Sequence, residues 1–214
     1  MPRLALPSRA LGALLVLAAV LMPSCASTGT DLSRDTVMTL TDLGDDVQRA
    51  HEQIQAVMGT LTELSRATDL QAKYASYKKE TSRLETLADR AANRSQKMVK
   101  RAGNYFKAWE GQLDEITSPV VRKLSRERRE AALERFERLS ANVHAVKEAF
   151  DVLIVDLVDI RTYLDFNLNT DGVATAQPLF AQARADAEVV RDLQVQIEVQ
   201  LRQVADAMDA RIAK

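Results

Sequence analysis

The chain has 214 residues, 46% of them hydrophobic, a formal net charge of −1 and one cysteine. That balance excludes binding of nucleic acid by bulk charge, and a lone cysteine excludes an intramolecular disulfide. The length suits one domain, compact or elongated.

Arg3 and Arg9 precede the first acid, Asp31, and "LGALLVLAAVLM" over residues 11–22 carries no charge. A positive segment followed by a short apolar run is the layout of a secretory signal peptide. A membrane-spanning helix takes about 20 apolar residues, more than this run supplies. An uncleaved anchor is the alternative if the uncharged flank "ALPS" joins the span. The run ends in "LMPSC", residues 21–25. This resembles the lipobox of bacterial lipoproteins, with Ser24 at its small position and Met22 where leucine is commoner. The resemblance implies a signal peptide over 1–24 that is cleaved, lipidation of Cys25 and a tether over 25–31; the pattern of the remaining residues, 32–214, is that of one helical domain. Ala26 rather than aspartate after the cysteine implies the periplasmic face of the outer membrane. A core cysteine is the competing reading, but nothing before residue 25 offers a core. Without residues 1–24 the chain keeps 27 Lys and Arg against 30 acids, a net charge of −3.

Downstream, residues 60–102, 120–171 and 179–214 contain neither glycine nor proline. Charged, Ala-rich stretches without breakers read as long helices, and nothing alternates at period two as a strand does. The expected helices are 32–66, 69–116, 124–169 and 175–212. The breaks fall at Thr68 or Asp69 as a helix cap, at Pro119 with a capping Ser125, and at "NLNTDGVATAQP" over 167–178. The first helix carries a seam of Leu40, Leu43, Val47, Ala50, Ile54, Val57, Leu61 and Leu64. The second runs from Leu70 through Tyr74, Tyr77, Thr81, Leu84, Ala88, Ala91, Ser95, Met98, Ala102 and Tyr105 to Trp109, leaving Phe106 outside. The third runs from Ala132 and Phe136 to Ile160 and Leu164, and the fourth through Val190, Leu193, Ile197, Leu201, Val204 and Met208. Steps of three and four are those of a coiled-coil seam. The fold class is therefore all-α, an elongated antiparallel bundle or coiled coil of four long helices. Folding the second helix onto the third about residue 121 sets Ala91 against Phe150 and Leu84 against Leu157, small against large.

"DLQAKYASYKKE", "FKAWEGQLDEI", "VVRKLSRERREAALERFERL" and "YLDFNLNTDGVAT" resemble, in order and spacing, the bacterial family catalogued as domain of unknown function 2959. The resemblance covers residues 69–205 and rests on Trp109-Glu110, on Arg122 to Ser125 and on Asn167-Leu168-Asn169. The chain departs from the family pattern at Asp165-Phe166 and Thr170. The resemblance implies an exported helical protein and supplies no activity.

No catalytic constellation is legible. His51 and His144 have no glutamate three residues before them, as a di-iron bundle requires, and no Cys/His zinc set or Gly-rich phosphate loop is present. No catalytic residue, metal site or cofactor is expected, and the protein is read as no enzyme. His144 and Glu148 form a surface pair. Between residues 119 and 130, Arg122, Lys123, Arg126, Arg128 and Arg129 face only Glu127 and Glu130. The usual fate of such a run is local pairing, here with Asp31, Asp35, Asp42, Asp45 and Asp46, and the alternative is contact with lipid head groups or a partner. The expected function is a non-catalytic, lipid-anchored envelope rod that binds a protein partner, self-associates or spaces two layers. The alternative is a bundle that holds a lipid or small ligand at the membrane, with or without enzyme activity. Nucleic acid is not an expected partner.

Overall fold

The computed structural model describes residues 29–208, so the signal segment, Cys25, the start of the tether and the expected helix end at 212 lie outside the described residues. Four long helices and one short one make up the rest: α1 Gly29–Leu64, α2 Leu70–Glu115, α3 Pro119–Phe166, α4 Thr170–Thr175 and α5 Gln177–Met208. No strand occurs among the described residues. At 1.5 Å per residue α2 and α3 are about 70 Å long. The connections are tight and the long helices run alternately up and down. In cyclic order α1 packs on α2 and α5, and α3 packs on α2 and α5, with α1 and α2 in closest backbone approach.

The breaks are built by side-chain caps. Asp69 accepts the N–H of Ala72 at 3.0 Å and starts α2. α3 begins at Pro119, five residues before the expected start, because Ser118 caps it and accepts the N–H of Val121. Proline suits a first turn, where its missing N–H has no intrahelical partner to lose. Ser125 therefore sits inside the helix and accepts the indole N–H of Trp109 at 3.0 Å. The Asn167-Leu168-Asn169 segment is a folded corner. The Asn167 carbonyl accepts the N–H of Asn169, and the Asn169 side chain accepts the N–H of Gly172 at 2.8 Å. Asp165, one of the departures from the family pattern, accepts the Tyr74 hydroxyl at 2.8 Å.

The α1 seam is buried throughout, from Leu40 to Leu64. Two corrections apply elsewhere. Phe106 is buried, 4% exposed, and packs on Phe136 at 5.9 Å between ring centroids, while Tyr105 and Trp109 are half-buried. In α5 the inward position belongs to Gln194, 2% exposed, and Leu193 is half-buried. A helix in a four-membered bundle faces two neighbours, so its buried stripe is wider than a single heptad seam and can step between them.

The α2–α3 hairpin folds about residue 117. Trp109 reaches Ser125, Arg129 donates to the carbonyl of Phe106, and the Tyr77 hydroxyl donates to that of Leu157 at 2.6 Å. The interior is two hydrophobic clusters in series. One is centred on Leu61, Tyr77, Leu157 and Phe180, the other on Leu40, Met98, Leu139 and Leu201. Ala91 and Phe150 share the place where the clusters meet, but the space between small and large residues there is a cavity, not a filled seam.

Candidate functional site

Three places on the rod were assembled from residues with chemistry to offer: the end where α1 begins, the middle, and an acidic pair on the α3–α5 contact.

At the first end, α1 starts beside the end of α2. A Cβ placed on Gly29 would lie 3.3 Å from the Gln112 amide. The Ser33 hydroxyl donates to the carbonyl of Met208, so the last described residue of α5 lies there too. The basic residues of the adjoining turn divide into two groups. Arg122 donates to the carbonyl of Ile116 at 2.6 and 3.0 Å and holds the turn closed. Arg129 donates to Phe106 and pairs with Glu110 at 2.8 Å. Lys123 is exposed and within 3.7 Å only of Glu127, one turn on, while Arg126 and Arg128 are exposed and form no ion pair among the described residues. Interleaved with these three are Val120, Val121 and Leu124, which are 69%, 52% and 61% exposed. Among the described residues, the ion pairs of the α1 acids are made with residues outside this turn. Asp42 and Asp46 pair with Arg94, Asp46 also pairs with Arg49 at 2.6 Å, and Asp31 lies 3.6 Å from Arg34. Arg94 is 16 residues before Glu110 on α2, about 24 Å along the helix.

In the middle, all four long helices line a cavity of about 160 Å³. Its walls are mostly apolar; Ser95 is half-buried and Gln194 buried among them, and the Gln194 Oε1 has no hydrogen-bond partner. Asp89, Lys147 and Asp151 are exposed lining residues on the α2–α3 side, where Lys147 and Asp151 pair.

On the α3–α5 contact, the Asp156 carboxyl lies beside Asp186, and its Oδ2 is buried without a hydrogen-bond partner. Burial first, and then the neighbouring acids Asp186 and Asp159, push the Asp156 carboxyl up to about 6. The folded protein therefore holds a proton that the unfolded chain releases above its ordinary value near 3.8, and stability falls as pH rises through that window. Asp165, held low first by Tyr74 and then by Lys78, and Glu80, held low by Gln53 and Arg83, lose their contributions only as pH falls below their ordinary values of 3.8 and 4.5. The wild type is expected to melt higher at pH 5 than at pH 7. Asp156→Asn should flatten that slope and melt above wild type at pH 7, as followed by circular dichroism. A wild-type melting temperature that rises from pH 5 to 7 would contradict the proton held on Asp156.

His144 lies 3.3 Å from Glu148, both largely exposed. Among the described residues no group of three His, Cys, Asp or Glu side chains could hold a metal ion, and no helix is long and apolar enough to cross a membrane. Sequence reading singled out the basic turn by its charge. It missed Val120, Val121 and Leu124, whose exposure follows from the early start of α3, and it missed Gln194, which stands beside a leucine that fitted the spacing better.

The sequence matches the family described as "Protein of unknown function (DUF2959)" over residues 27–208. No curated protein and no solved structure matches the chain. The match spans the four long helices, the Asn-Leu-Asn corner and the Trp109–Ser125 contact together, and the chain belongs to that family.

Proposed function

We propose that the protein is a non-catalytic, lipid-anchored rod of the bacterial envelope. Cys25 carries the anchor, the basic end rests on an anionic phospholipid surface, and the shaft serves a protein partner or a spacing role away from the membrane, on the periplasmic face of the outer membrane. One observation carries this reading. The start of α1, four residues after Cys25, lies at the end where Lys123, Arg126 and Arg128 stand exposed among Val120, Val121 and Leu124. Four residues span at most about 14 Å, so an acylated Cys25 keeps that end within reach of the head groups. Apolar side chains between cations suit the boundary between head groups and acyl chains.

The test has two arms. Cys25→Ser should release the protein from washed membranes and abolish palmitate labelling; labelling that persists removes the anchor. A soluble chain starting at Ala26 should sediment with vesicles containing phosphatidylglycerol and not with pure phosphatidylcholine. Basic residues near such a surface contribute about 1 kcal/mol each. Changing Lys123, Arg126 and Arg128 to alanine should therefore weaken binding by roughly a hundredfold. Equal sedimentation of the two chains removes the contact.

A further inference from the structure

We propose that the cavity in the middle of the bundle is a binding site for a small, mostly apolar molecule, about the size of one aromatic ring, that donates one hydrogen bond to Gln194 Oε1. The inference is independent of the anchor and of the membrane contact.

The first argument is size and lining. A dry apolar cavity of roughly 150 Å³ is large enough to take up benzene, and this one measures about 160 Å³. Ala88 and Ala91 on α2, Val143 and Phe150 on α3 and Ile197 on α5 make its wall mostly apolar, with Ser95 on α2 a half-buried hydroxyl in the same lining. It sits where the two hydrophobic clusters join, with Val143 and Ile197 from one and Phe150 from the other. Small residues on α2 leave the space, and no neighbouring side chain collapses into it.

The second argument is Gln194. The residue is 2% exposed, lines the cavity and has an Oε1 without a partner. A buried acceptor left unpaired is costly, whereas an apolar side chain of similar size there carries no such cost. Leu193 is adjacent in the sequence and is only half-buried. The fold thus turns an amide inward beside a leucine that the heptad spacing favoured. Departures from local packing rules of this kind are expected where a protein binds something. The missing element is a donor, since the Ser95 hydroxyl in the same lining makes no bond to Gln194 Oε1, and the mostly apolar wall leaves room for the rest of the molecule. A phenolic hydroxyl on a ring meets both requirements. Benzene meets the second only.

The third argument is access. The lining residues that reach solvent, Asp89, Lys147 and Asp151, belong to α2 and α3, the side of the bundle away from the close α1–α2 contact. Entry there needs movement of exposed polar side chains, not parting of the helices.

The experiment uses the chain from Ala26, which keeps all the described residues, 29–208, with phenol and benzene as probes. Binding is read by calorimetry and by the fluorine resonance of 4-fluorophenol. Wild type is expected to bind phenol at least tenfold more tightly than benzene. Gln194→Leu should lose that preference and raise the melting temperature. Ala91→Leu should fill the space and bind neither probe; Ala88→Val takes its place if that variant does not fold. A crystal soaked in phenol should show the hydroxyl on Gln194. The proposal is overturned if phenol does not saturate, if phenol and benzene bind wild type equally, if Ala91→Leu or Ala88→Val leaves phenol binding unchanged, or if the soaked crystal holds only a water at Gln194.

Discussion

Gly172→Ala is expected to be among the most damaging single substitutions in the protein. The added Cβ would lie 1.9 Å from the carbonyl oxygen of Asn167 and 2.9 Å from its carbonyl carbon. Both are backbone atoms, so no rotamer change relieves the overlap. Backbone torsion is not the reason, because no glycine among the described residues has a positive φ. Close approach is the reason: the Asn167 carbonyl turns back over the first turn of α4 and also accepts the N–H of Asn169. Relief requires opening the corner that sets α5 against α3. Overpacking usually costs 1–3 kcal/mol, and a clash with fixed backbone belongs at or above the top of that range. A loss of about 3 kcal/mol or more lowers the melting temperature of a domain this size by roughly 6–12 °C. Gly59→Ala is the control, since a Cβ there meets nothing within 4 Å and the site is an exposed helix interior. That variant should gain up to about 1 kcal/mol. Urea melts in which the two variants differ by less than about 0.5 kcal/mol would refute the close approach.

Tyr77→Ala is the second large effect. Tyr77 is fully buried in the cluster beyond the cavity, stacks at 6.2 Å on Tyr74, and its hydroxyl donates to the Leu157 carbonyl at 2.6 Å. Burial raises the pKa of that hydroxyl well above its ordinary value, so it stays a donor at any physiological pH. Truncation removes a ring from the middle of the helix contacts and leaves a void, at about 3–5 kcal/mol. Tyr77→Phe keeps the ring and removes only the bond, at about 0.5–1.5 kcal/mol. The ratio between the variants is the informative quantity. If phenylalanine were as damaging as alanine, the hydroxyl and not the packing would hold α2 to α3.

The helices were legible because breakers are scarce and their apolar residues recur at three and four. Leu40 through Leu64 on α1 needed nothing else, and all eight are buried. What escaped the sequence has one physical origin. A heptad rule assumes one partner per helix, and each long helix here has two. Phe106 is one position past Tyr105 and turns toward Phe136 on α3. Gln194 is one position past Leu193 and turns inward among four helices. The start of α3 is ambiguous in the sequence because Pro119 reads both as a breaker and as a first-turn residue, and only the Ser118 cap decides between them. The basic turn was visible as charge. Which of its cations were already spent on backbone carbonyls was not, since that depends on where the turn closes.

The two ends of the described chain sit together. Ser33 near the start of α1 touches Met208 at the end of α5, whereas the opposite pole is made of the α1–α2 connection and the corner before α5. This sets how the bundle carries load. A pull between residue 29 and the far pole runs along the helices and shears them lengthwise, so many side-chain contacts resist at once. A pull between the two ends of the chain peels α1 from α5 one layer at a time. The same molecule is stiff as a strut and weak as a zipper.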